Sequence, residues 1–73
     1  VSTAATPPWG LSPAEAETLQ AIIDTGNQKL AARKRGVSVK TIEAQFGHAM
    51  VKSGLEYRVL VLIQFDRRMR GAA

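Results

Sequence analysis

Residues 27–54 read NQKLAARKRGVSVKTIEAQFGHAMVKSG, and their punctuation decides the fold. Asn27 is a natural N-cap, because its side-chain oxygen satisfies an amide that the first turn of a helix leaves without a partner. The helix it opens runs over Gln28–Arg35 with a narrow apolar face of Leu30, Ala31 and Ala32, and Gly36 ends it by tolerating a left-handed backbone. Ser38 caps a second helix, on which Ile42, Phe46, Ala49 and Met50 return to one side at helical spacing. Gly54 supplies the stop. Val37 stands between the two helices, where it plugs the angle, and the small Ala32 lets them approach closely.

Upstream, Ser12-Pro13-Ala14-Glu15 is a capping box with proline at the first helical position. Ala16, Leu19, Ile22 and Ile23 then form one stripe, so the spacing predicts a helix over Pro13–Thr25 that stops at Gly26. Before it, residues 1–10 have no periodicity and end in Pro7-Pro8-Trp9-Gly10; they read as a flexible arm whose Trp9 can dock on the body. Downstream, Glu56 to about Arg68 is long enough for a helix but rich in β-branched residues, so a strand over Val59–Phe65 competes with it. Helix is the preferred reading, because one short strand would have no pairing partner. The expected architecture is all-α, a four-helix domain over residues 11–70 with a disordered tail at 71–73.

A chain of 73 residues holds one small domain. It has no cysteine and only one histidine, His48, so neither a thiolate nor a multi-histidine metal site is expected. Paired carboxylates and glycine-rich phosphate loops are also missing, since Glu15 and Glu17 sit in a capped first turn where acids complement the helix dipole. The expectation is therefore a non-enzymatic protein without cofactors. The most apolar stretch, Val59–Phe65, is too short to span a bilayer, and the N-terminus has no signal-peptide pattern, which points to a cytoplasmic protein. With four aromatic residues, Trp9, Phe46, Tyr57 and Phe65, the chain lacks the platforms on which single-strand binders stack bases.

The net charge is +4 and unevenly spread. Residues 1–26 carry Glu15, Glu17 and Asp24 and no base. Residues 27–53 carry Lys29, Arg33, Lys34, Arg35, Lys40 and Lys52 against Glu43 alone. Residues 54–73 add Arg58, Arg67, Arg68 and Arg70 against Glu56 and Asp66. The positive field sits in the middle of the chain, which favours a polyanionic partner.

Two short helices around a glycine-containing turn are the sequence form of a helix-turn-helix. Leu11-Ser12-Pro13-Ala14-Glu15, the Gly26 stop, Lys29 with Ala32, Val37-Ser38-Val39-Lys40-Thr41-Ile42-Glu43 and Lys52-Ser53-Gly54-Leu55-Glu56-Tyr57-Arg58 resemble the LuxR/GerE-type (NarL/FixJ-type) DNA-binding domain. The resemblance runs from Leu11 to about Ile63. It implies a LuxR/GerE-like helix-turn-helix domain, with the third helix in the major groove of double-stranded DNA, the fourth pairing two subunits, and transcription regulation as the role. The chain departs from that pattern at Ala31, Arg35, Gln45 and Gly47.

Phosphate contacts set register on DNA and base-edge contacts choose sequence. Lys40 and Thr41, beside the free amides of the third helix, are expected to meet phosphate. Lys29, Arg33 and Lys34 are expected to add contacts from the second helix, with a merely solvated charged face as the alternative. Lys52 joins the phosphate set by resemblance. The base-reading set is Glu43, Ala44, Gly47 and His48: Glu43 can accept from cytosine N4, Ala44 can meet a thymine methyl, and His48 can donate or accept. Gln45 is placed toward the core by the resemblance, and Phe46 is read as core.

The fourth segment is apolar nearly all round, whereas a monomer's surface helix needs a single apolar stripe. A second copy is the expected cover, with Leu60, Ile63 and Arg67 on the seam of a homodimer; the arm folding back with Trp9 is the alternative. A rival reading is a helix-turn-helix-derived adaptor that binds another protein, such as RNA polymerase, through the same helix.

Overall fold

The computed structural model describes residues 7–71. Among them the chain forms four α-helices and no strand: α1 (Pro13–Thr25), α2 (Gln28–Arg35), α3 (Val39–Ser53) and α4 (Arg58–Gly71). The all-α, four-helix expectation holds. A single 3-10 turn over Pro8–Gly10 precedes them.

Local chemistry sets the boundaries. The Ser12 hydroxyl accepts from the Glu15 amide at 3.2 Å while the Glu15 carboxylate accepts from the Ser12 amide at 2.9 Å, which closes the capping box at the head of α1. The Asn27 side chain accepts from the Leu30 amide at 2.8 Å. The α2–α3 turn is a Schellman motif: Gly36 sits at φ 70°, its amide donates to the Arg33 carbonyl, and the Val37 amide donates to the Ala32 carbonyl at 3.0 Å. Val37 packs against the core.

α4 departs from the expected Glu56–Arg68 span at both ends. Among the described residues no side-chain hydrogen bond caps its start; the first helical bond runs from the Val61 amide to the Tyr57 carbonyl. Leu55 is drawn against the core and its amide donates to the Ser53 hydroxyl at 3.1 Å, so residues 55–57 are used in crossing from α3. At the far end Arg67, Arg68 and Arg70 suit a helix C-terminus, and Arg70 pairs with Asp66 one turn earlier, which carries the helix to Gly71.

Leu19, Ala21 and Ile22 of α1, Ala31 and Ala32 of α2, Ile42, Phe46 and Ala49 of α3, and Val61 and Phe65 of α4 form the core, with Leu11 at its edge. Leu30 does not belong to it. Assigned to the apolar face of α2, it is exposed, because it lies about 200° around the helix from Ala32 at 3.6 residues per turn.

Of the N-terminal arm the structure describes residues 7–10, and there Trp9 docks on the body, as the sequence allows. Trp9 is half-buried against the core, in a left-handed conformation at φ 57°, with the Arg68 guanidinium 5.5 Å from its ring centroid. The contact with α3 and α4 offsets the roughly 1–2 kcal/mol that a left-handed backbone costs a bulky residue. Gly71 belongs to α4 rather than to a tail; residues 1–6 and 72–73 of the proposed arm and tail lie outside the described residues.

Candidate nucleic-acid interface

α3 has two unlike sides. Ile42, Phe46 and Ala49 are buried, with Met50 half-buried beside them. The other side is open: Lys40, Glu43, Ala44, Gly47, His48 and Val51 are all exposed. Lys40, Ala44, Gly47 and Val51 follow one line at spacings of four, three and four. A Cβ built at Gly47 meets nothing within 4 Å, so the backbone itself is the surface at that point. A helix of this kind can be approached along its length by a groove about as wide as the helix.

The four residues expected to read bases thus share one uncovered face. The six expected to meet phosphate fall into three groups. Lys29, Arg33 and Lys40 are exposed and make no ion pair among the described residues. Thr41 is half-buried, with its hydroxyl 3.0 Å from that of Ser38 and its amide donating to the same Ser38 oxygen at 3.1 Å. Lys34 and Lys52 are tied to acids of α1, at 3.1 Å to Asp24 and 2.7 Å to Glu15.

The second of these pairs is built into the fold. The Glu15 side chain is 9% exposed and accepts from both the Ser12 amide and the Lys52 ammonium, while the His48 Nδ1 stands 3.6 Å from its other oxygen. The Lys52 hydrogen bond, then that of the Ser12 backbone, hold the Glu15 carboxyl below its ordinary pKa of 4.5, against burial that pushes it up. Asp24 is lowered too, by the Gln20 amide first and Lys34 second. The cleft between α1 and α2, about 430 Å³, is lined by Glu17, Gln20, Ala21, Asp24, Lys34 and Arg35, so its acids face its own cations.

Three features escape a reading of the residues in order. Val51 is 82% exposed, the most open large apolar side chain of the described residues; extending the Lys40–Ala44–Gly47 line by four would have found it. The Glu15–Lys52 pair joins residues 37 positions apart. Arg35 and Gln45, two of the departures from the resembled pattern, touch each other: the Arg35 guanidinium donates to the Gln45 amide oxygen. Only the crossing of helices brings such partners together.

On α4, Val61 and Phe65 face inward, while Val59, Leu60 and Ile63 are exposed together with Arg67. Trp9 packs on the inner side beside Arg68 and leaves Leu60 and Ile63 open. No helix among the described residues is long and apolar enough to cross a membrane. Compared with protein-family models, with curated proteins and with solved structures, the chain matches none.

Proposed function

We propose that the chain is a sequence-specific, double-stranded DNA-binding regulator of transcription that lays α3 in the major groove and works as a homodimer through α4. The observation that carries the reading is the open face of α3, backed by the core and edged by Lys40, in the most basic third of the sequence. On this reading α2, the Gly36 turn and α3 are a helix-turn-helix of the LuxR/GerE kind. Lys40, with Lys29 and Arg33 from α2, meets phosphate; Glu43 accepts from cytosine N4, and Ala44 and Val51 meet thymine methyls. Gly47 lets the helix backbone come close to the base edges.

Lys40→Ala should lower affinity by a similar factor for all duplexes and reduce the salt slope by about one unit. Glu43→Ala should instead change which duplexes are selected from a randomised pool at near-physiological salt. Identical effects from the two substitutions would sink the assignment.

The open apolar residues of α4 support the dimer, which would present two α3 helices to half-sites roughly 34 Å apart. Leu60→Asp should convert a concentration-dependent dimer into a monomer in sedimentation and weaken DNA binding without unfolding the domain. Unchanged association would move the seam elsewhere. The same exposed Val59, Leu60 and Ile63 also favour a second reading, an adaptor that docks on another protein such as RNA polymerase. Salt separates the two: affinity for DNA falls steeply with ionic strength, whereas an apolar protein contact holds.

A further inference from the structure

Thr18 of α1 is 0% exposed yet carries a hydroxyl, and a buried polar group needs partners. It has two. The hydroxyl donates to the Gln45 amide oxygen on α3 and accepts from the Arg35 guanidinium at the end of α2, and Arg35 also donates to that Gln45 oxygen. One side chain from each of three helices meets at a single point behind α3. The Arg35 side chain is 17% exposed, and its nearest carboxylate, that of Glu17, stands 4.0 Å away. Its charge is therefore spent inside the protein, unlike those of Arg33 and Lys40.

Apolar packing is non-directional, so a core of Ile42, Phe46 and Ala49 lets a helix rotate by some degrees at little cost. Hydrogen bonds are directional and penalise the same rotation. With side-chain tips roughly 5–6 Å from the helix axis, a turn of about 10° moves them by about 1 Å. That is enough to spoil a base-edge contact and too little to lose a phosphate contact made by a long flexible side chain. Gln45 follows Ala44 directly and lies within one turn of Glu43 and His48, so whatever fixes Gln45 fixes the reading face.

We infer that Arg35, Gln45 and Thr18 are positioning residues that set the rotation of α3 and thereby its discrimination between DNA sequences, not its general affinity for DNA. The inference rests on the proposed reading of DNA by α3.

The decisive variant replaces the whole cluster by apolar groups of similar size, Thr18→Val, Arg35→Met and Gln45→Met together, because removing every partner leaves no orphaned polar group and keeps the fold. The triple variant should unfold at or above the wild-type midpoint and bind scrambled duplex within about twofold of wild type. Its preference for a selected site should fall by about tenfold or more. Gln45→Glu alone, which preserves the acceptor for Arg35 and Thr18, should keep most of that preference. A triple variant that discriminates as well as wild type overturns the inference, and so does one that loses selected and scrambled binding by equal factors. A measurement on the free protein separates this from a failure of the DNA reading itself. The α3 amide resonances should be sharp in wild type and in Gln45→Glu, and broadened in the triple variant. Sharp α3 resonances in all three overturn the positioning role whether or not DNA binds; wild-type protein that prefers no duplex, with the broadening present, overturns only the DNA reading.

Discussion

Phe65→Ala is expected to remove about 3–5 kcal/mol of stability, the range for truncating a buried phenylalanine. The whole domain has on the order of 4–11 kcal/mol at roughly 0.05–0.15 kcal/mol per residue, so this one change takes a large share of it. The reason lies in how α4 is held. Phe65 and Val61 are its only buried side chains among the described residues, with Leu62 and Met69 packed at the margin. Its outward face, by contrast, leaves Val59, Leu60 and Ile63 exposed. The thermal midpoint should fall by at least about 12 °C, taking 4–8 °C per kcal/mol for a domain of this size. Val51→Ala, made at the most exposed apolar position, should stay within about 0.5 kcal/mol of wild type. Trp9 is the only tryptophan and packs beside α4, so its emission follows α4 docking while circular dichroism follows all four helices. Coincident transitions in wild type and an earlier fluorescence transition in Phe65→Ala would mark α4 as the first element to leave. A loss below about 1 kcal/mol would show that α4 is held by something other than Phe65.

The same contrast explains what the residues disclosed when read in order. The limits of α1 and α2, and the stop of α3 at Gly54, depend on side chains within a few positions of the boundary: Ser12 with Glu15, Asn27 with Leu30, Gly36 with Arg33. Such signals are local, so they are legible. The start of α4 has no side-chain cap among the described residues and is decided by Leu55 reaching a core assembled from distant segments, so that boundary differs from the expected one. The open face of α3 was legible because a helix with one committed apolar side must present the other. Whether each cation on the surface is available was not, because pairing depends on the crossing of α1 over α2 and α3. Lys34 and Lys52 look identical to Lys40 in the sequence; the fold gives the first two an acid of α1 and, among the described residues, leaves Lys40 without one. The departures at Arg35 and Gln45, unrelated when read singly, are one hydrogen-bonded unit with Thr18.

Glu15→Ala is expected to be the second most damaging change, at about 1.5–3 kcal/mol, the range for a hydrogen bond to a charged group whose partner is left unpaired. Substitution breaks the capping box of α1 by orphaning the Ser12 amide, and it releases Lys52 from the contact that joins the end of α3 to the start of α1. Acid should do the same to the wild-type protein. The carboxyl is held below 4.5 in the folded state, so the unfolded chain binds more protons in the window just under that value and stability rises with pH there. The contribution is complete above the unfolded pKa and disappears as pH falls through the folded one. The stability difference between wild type and Glu15→Gln should therefore be constant near neutrality and shrink below about pH 4.5. Asp24 and the other carboxylates are common to both proteins and cancel from that difference. The two readouts should move in opposite directions near neutral pH: Glu15→Gln weakens the fold but frees the Lys52 ammonium, so the salt slope of DNA binding should steepen by about one unit as another phosphate is neutralised. A less stable protein with an unchanged slope would place Lys52 away from the DNA and leave Lys40, Lys29 and Arg33 to set the register.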